Sequence, residues 1–217
     1  MTGELRIPVR LMIAALADKK IKALRLLCVA KLLYNHRAHI GQLLESMDIQ
    51  PKTGARLMQS IIKHGWAGTD GSHLYPRSWS RIKTSKRGGL YLIDTSMLSN
   101  LKIFEALCFA HALRALYRRV EYQRSRKGRA EPNGISLAYS AGALGLSERT
   151  CKRLRAAAQS YGFIRLYRPK LTVVGAQIHK GQLMKHLSDA PIFALGKFVV
   201  TPGNSRVEFV DWDKSGP

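Results

Sequence analysis

Residues 135–168 read ISLAYSAGALGLSERTCKRLRAAAQSYGFIRLYR, and their punctuation predicts helix, turn, helix and strand. Small apolar residues over 136–143 recur at helical spacing, and Gly145 can take the positive φ that a sharp turn between helices requires. Ser147 is an N-cap for a second helix over Glu148–Ser160. That helix divides into two faces. Cys151, Leu154, Ala158 and Tyr161 form the stripe expected to be buried, while Arg149, Lys152, Arg153 and Ala156 line the opposite side. Gly162 stands where the helix should end. The strand FIRLYR over 163–168 alternates apolar and basic residues, and the β-branched run 171–174 after Pro169-Lys170 would return along it as a hairpin.

These residues carry a resemblance. Ala141 four before Gly145, Leu144 and Leu146 flanking it, and Cys151 and Leu154 after it resemble the helix-turn-helix of DNA-binding proteins. The small residue lets two helices cross closely, the glycine makes the turn and the apolar pair docks the second helix. A hairpin following such a pair is similar to the winged-helix family.

The chain has 217 residues, 36 Lys and Arg against 14 Asp and Glu, a net charge of +22 and a pI near 10.4. Its 46% hydrophobic content suits packed cores, in one large domain or two small ones, so the charge is not that of a disordered tail. A folded chain this basic repels itself unless it meets a polyanion, which puts nucleic acid first and an acidic membrane surface second. Ribosomal proteins share the composition, so charge alone does not select DNA. In the stretch 188–217, Lys197, Arg206 and Lys214 stand against Asp189, Glu208, Asp211 and Asp213, a net of −1, so the positive field of +23 belongs to the stretch 1–187. Cys28, Cys108 and Cys151 are far apart in apolar helical contexts, which predicts buried free thiols in a reducing, cytoplasmic setting. No apolar run approaches the roughly 18 residues of a membrane span. The apolar run 11–17, preceded by Arg6 and Arg10 and followed at once by Asp18-Lys-Lys20, reads as an amphipathic first helix and not as a signal peptide.

The sequence also repeats itself. Leu27-Cys-Val-Ala-Lys31 recurs, at an offset of 80, as Leu107-Cys-Phe-Ala-His111. At an offset of 97, Arg56-Leu57 and Gly65-Trp66 recur as Arg153-Leu154 and Gly162-Phe163, and Met47-Asp-Ile49 as Leu144-Gly-Leu146. Two copies of one unit explain both offsets, their difference being an insertion after the first helix of the second copy. The first copy then holds a helix over 21–36, a short helix over 40–46, a turn at 47–50, a helix from Pro51 to about His64 and a hairpin over 66–75 centred on Asp70-Gly71. It departs from the pattern at Asp48, in the place of Gly145, and at Gly54, in the place of Cys151. Between the copies lie the basic stretch 77–87, a strand over 90–94 and a helix over 101–121 capped by Ser99. The insertion around 118–134, with Arg118, Arg119, Arg124, Arg126, Lys127 and Arg129, is either an arm for a phosphate backbone or minor groove or a solvated loop. Residues 182–187 read as a short helix, and 192–200 and 206–210 as strands that close against the second unit, pair with a partner or join the units.

Reactive groups do not converge. Asp211 and Asp213, in a cluster with Glu208, would share one face of a strand, as a metal site needs, but so near the C-terminus read rather as an acidic, solubilising end; His36 and His39 lack a third ligand nearby; His111 sits on an apolar helix face as a core histidine does; and no phosphate loop is present, although 85–89 could hold a phosphate nonspecifically. The pattern fits binding without catalysis, cofactor or metal. The expected fold is α+β and mainly helical, with winged-helix domains over 1–97 and 98–187 and a strand-rich segment over 188–217. In the second unit Arg149, Lys152 and Arg153, with Arg155 beside them, are the candidates for base edges, and Arg165, Arg168 and Lys170 for phosphates. Lys52, Thr53, Arg56, Gln59 and Lys63 are the counterparts in the first. Duplicated winged helices in one basic chain resemble plasmid and phage replication initiators, which implies double-stranded DNA and host replication proteins as partners, for a monomer or homodimer. A transcriptional regulator is the close rival, and an RNA-binding or ribosome-associated protein the alternative from another class.

Overall fold

A short strand and not a helix opens the fold. In the computed structural model, which describes residues 4–34, 37–82, 89–125, 136–167, 172–179, 182–188 and 206–209, the strand β1 (Glu4–Pro8) precedes the helix α1 (Val9–Ala17). The first helix expected on the apolar run 11–17 is α1, and a strand that the sequence reading did not separate precedes it. Ile7 is fully buried beside exposed Arg6, and Pro8, with φ −67° and no N–H to give, sits at the cap of α1. The chain then forms α2 (Ile21–Leu33), β2 (Ala38–His39), α3 (Ile40–Ser46), α4 (Pro51–Lys63), β3 (Ala67–Thr69) and β4 (His73–Pro76). Strand β4 lies between β2 and β3, antiparallel to both, with Ala38 opposite Leu74 and Gly68 opposite Tyr75. The hairpin expected over 66–75 is therefore present, and it is joined by the strand that precedes α3.

After a 3-10 turn at Trp79–Arg81 come β5 (Leu90–Asp94), the 3-10 turn Thr95–Leu98, α5 (Leu101–Ser125), α6 (Leu137–Leu144), α7 (Glu148–Ser160) and β6 (Ile164–Tyr167). Strand β5 pairs with β1, Leu5 opposite Ile93. Asn100, not Ser99, caps α5: its Oδ1 accepts the Lys102 N–H at 2.8 Å, while the Ser99 hydroxyl donates to Ser96 O. Helix α5 runs past the expected end, so Arg118 and Arg119 are exposed helical residues; 126–135 lie outside the described residues. The remaining strands are β7 (Thr172–His179), β8 (Gln182–Ser188) and β9 (Arg206–Phe209). Two expectations fail here. Residues 182–187 are strand and not helix, and the partner of β6 is β9, not the chain just after it. With His179 opposite Gln182, β7 and β8 form a hairpin of their own, and β6 pairs with the distant β9, Arg165 opposite Glu208.

The fold class is α+β and mainly helical. Helix α5 packs against α1, α2, α6 and α7, and one hydrophobic core draws on all seven described α-helices. Its largest sealed side chains include Trp66, Phe104 and Phe109. Cys28, Cys108 and Cys151 are free and buried, and burial raises all three thiol pKa values.

Four helix ends share one geometry at the repeat offset. Asp48 (φ 51°) and Gly145 (φ 67°) end α3 and α6, and Gly65 (φ 66°) and Gly162 (φ 75°) end α4 and α7. Each time the following N–H reaches back to the last turn, as Ile49 to Leu44 O and Leu146 to Ala141 O do at 2.9 and 2.8 Å. Asp48 thus takes the left-handed conformation that its short polar side chain tolerates. Gly145 is more constrained, because an added Cβ would sit 3.1 Å from Ala17 Cβ. Gly145→Ala is expected to cost about 1–3 kcal/mol. Urea denaturation checks this, and a loss below about 0.5 kcal/mol would show that the turn relaxes freely.

Candidate nucleic-acid interface

Two exposed basic helix faces emerge from this packing. Gly54, Met58 and Ile61 anchor α4 in the core, which turns Lys52, Thr53, Arg56, Gln59 and Lys63 outward. Cys151, Leu154 and Ala158 anchor α7, leaving Arg149, Lys152, Arg153, Ala156 and Gln159 outside the buried stripe. Tyr161, expected in that stripe, is 36% exposed at the helix end. Arg155 departs from the exposed face: it is half-buried, its Nε sealed from solvent, and its charge opposes the rise of the Cys151 pKa. Arg165 is exposed on β6, opposite Glu208 of β9 in register. Arg168 and Lys170 lie outside the described residues, as do His36, Asp211, Asp213 and all of 85–89 except Gly89.

Both helices carry a base at their second position. Pro51 opens α4 and Lys52 follows, with no acid in the first turn and no side-chain cap from Gln50. Arg149 takes the same second position in α7, after Glu148, under the Ser147 hydroxyl that accepts the Thr150 N–H. A cation there works against the helix dipole by roughly 0.3–1 kcal/mol, an arrangement that an incoming anion reverses.

Arg153 is the most constrained of these side chains. Its two Nη atoms donate to the two Glu105 carboxylate oxygens of α5 at 3.0 and 3.1 Å, and that pairing raises the guanidinium pKa. Glu105 was not among the residues expected at the site. Its signal was available: at the first repeat offset it occupies the position of Arg25. Arg25 is spent otherwise, donating to Leu98 O at 2.6 Å and Ser99 O at 2.7 Å.

The β3–β4 hairpin is held by its own tip. Asp70 Oδ1 accepts from the Ser72 and His73 N–H groups, and Oδ2 accepts from the Tyr75 hydroxyl at 2.5 Å. The Tyr75 hydroxyl first, then the His73 N–H, hold the carboxyl well below its ordinary range. The tip is tied down by these bonds, and neither it nor the flanking strands carry a Lys or Arg. Among the described residues no group of His, Cys, Asp and Glu is placed to hold a metal ion, and no helix is long and apolar enough to cross a membrane. No protein-family model, curated protein or solved structure matches the chain.

Proposed function

We propose that the chain is a duplex DNA-binding protein that reads two adjacent sites through tandem winged-helix units, with α4 and α7 as the recognition helices. The observation that carries this reading is the matched pair of exposed basic faces. Lys52 and Arg149, and Arg56 and Arg153, stand on helices that begin after equivalent left-handed turns. In the first unit the helix pair is followed by a hairpin that also takes up β2, the winged-helix order. In the second, α6, α7 and β6 repeat that order, with β9 as the pairing strand. Two covalently joined units suit repeated sites one helical turn apart, as in replication origins of plasmids or phages, and host replication proteins would be the partners. A transcriptional regulator is the alternative.

Selection from a random duplex library at about 150 mM salt, with single-stranded RNA as competitor, tests the proposal, because nonspecific charge binding is weak there. The expected result is a motif with two half-sites about ten base pairs apart. Arg149→Ala combined with Lys152→Ala is expected to erase preference at one half-site and to flatten the salt dependence by about two charges. Effective competition by RNA, with no motif, would favour an RNA-binding protein. Exposed Tyr122 and Tyr139, 63% and 52% accessible, are the features that such a protein would use for stacking.

A further inference from the structure

A carboxylate against a DNA-facing helix weakens attraction for a polyanion, and this chain has 14 acids against 36 bases. Glu105 nevertheless lies beside α7, 27% exposed, and grips Arg153, whose side chain is 58% exposed. The pairing uses the end of the guanidinium, so the Nε–H edge and the outward Nη–H groups stay available. The other copy of the unit is built differently. Arg25 stands where Glu105 does and lines a cleft with Thr53 and Leu57 of α4, and Arg56, in the place of Arg153, is exposed with no ion-pair partner among the described residues.

We infer that Glu105 is a positioning residue: it holds the Arg153 fork in one orientation for contact with a base edge and makes the second unit the more discriminating half of the protein. This rests on the duplex-DNA reading above. A free arginine samples many rotamers and is drawn to any phosphate, whereas a clamped one meets a bidentate acceptor, such as the O6 and N7 of guanine, in one geometry. Clamping also weakens sequence-independent binding, because the carboxylate cancels a charge that phosphate would otherwise neutralise. Arg56 has no such clamp among the described residues, so the half-site read by α4 is expected to be the weaker of the two in the selected motif.

The test uses the full chain, the selected duplex and a set of duplexes in which each base pair of the half-site lost in the Arg149→Ala, Lys152→Ala variant is changed in turn. Glu105→Gln keeps the shape and removes the charge; Arg153→Lys keeps the charge and removes the fork. Both are expected to reduce discrimination about tenfold at the same single base pair, with no further loss in the double variant and none at other positions. Glu105→Gln is also expected to bind a scrambled duplex more tightly, with a salt slope steeper by about one charge. A Glu105 that merely ties α5 to α7 predicts a lower melting temperature with an unchanged base profile, and that result overturns the inference while leaving DNA reading intact. Failure of the wild-type chain to select any motif overturns both. Arg153→Lys, which leaves Glu105 in place, guards against a fold defect in the first variant.

Discussion

Leu44→Ala and Gly54→Cys are each expected to destabilise the protein, by about 2–5 and about 1–3 kcal/mol, and the double variant by at least about 1 kcal/mol less than their sum. The two helix pairs solve one packing problem with opposite sizes. In the second, a small Ala141 on α6 and a larger Cys151 on α7 are both buried. In the first, residues at the same offset reverse the order: Leu44 on α3 lies over Gly54 on α4, and a Cβ added to Gly54 would press into both Leu44 methyls, 2.7 Å from Cδ2. Gly54 is thus no loss of the docking residue. Its missing side chain is supplied by Leu44 from the facing helix. Alanine at 44 leaves a cavity, a side chain at 54 overfills the crossing, and together they reproduce the arrangement of the second pair. Urea denaturation of the four proteins measures the coupling, and strictly additive losses would refute the complementary packing.

Acid is expected to weaken the fold through His111, by about 2 kcal/mol between pH 7 and pH 4.5. The imidazole packs on the Tyr91 ring with centroids 4.3 Å apart, and its Nε2 is sealed from solvent without a hydrogen bond. Burial, and then the nearby Arg114 charge, lower its pKa from 6.5 to about 4. The folded state therefore keeps the ring neutral while the unfolded chain takes up a proton below pH 6.5. Stability is complete above that value and is lost as pH falls toward 4. His111→Leu is expected to remove this component, so the difference in unfolding free energy between the two proteins should change with pH across that window. A difference that stays constant would mean that the ring is already protonated or exposed in the fold. Lys31, 80 residues earlier in the matching stretch Leu27-Cys-Val-Ala-Lys31, has its ammonium 4.3 Å from the Trp79 ring and its pKa likewise lowered by burial.

By itself the sequence determined the elements whose signals are local. Pro51, Gly65, Gly145, Ser147 and Gly162 mark the helix pairs because capping and left-handed turns depend on residues a few positions apart, and the helices α3, α4 and α7 lie where those signals put them. The outward faces of α4 and α7 follow from the helical period, so most of the candidate interface was legible as well. Tertiary structure alone decided the rest. Residues 4–8 became a strand because residues 90–94 offered a backbone edge, and β6 was completed by 206–209, about forty residues on, and not by the chain that follows it. The clamp of Glu105 on Arg153 joins two helices far apart in the chain, and the fit of Leu44 over Gly54 needs two helices already crossed. Periodicity shows which side of a helix is wet. Which partner meets that side depends on contacts distant in sequence, formed only once the whole core has packed.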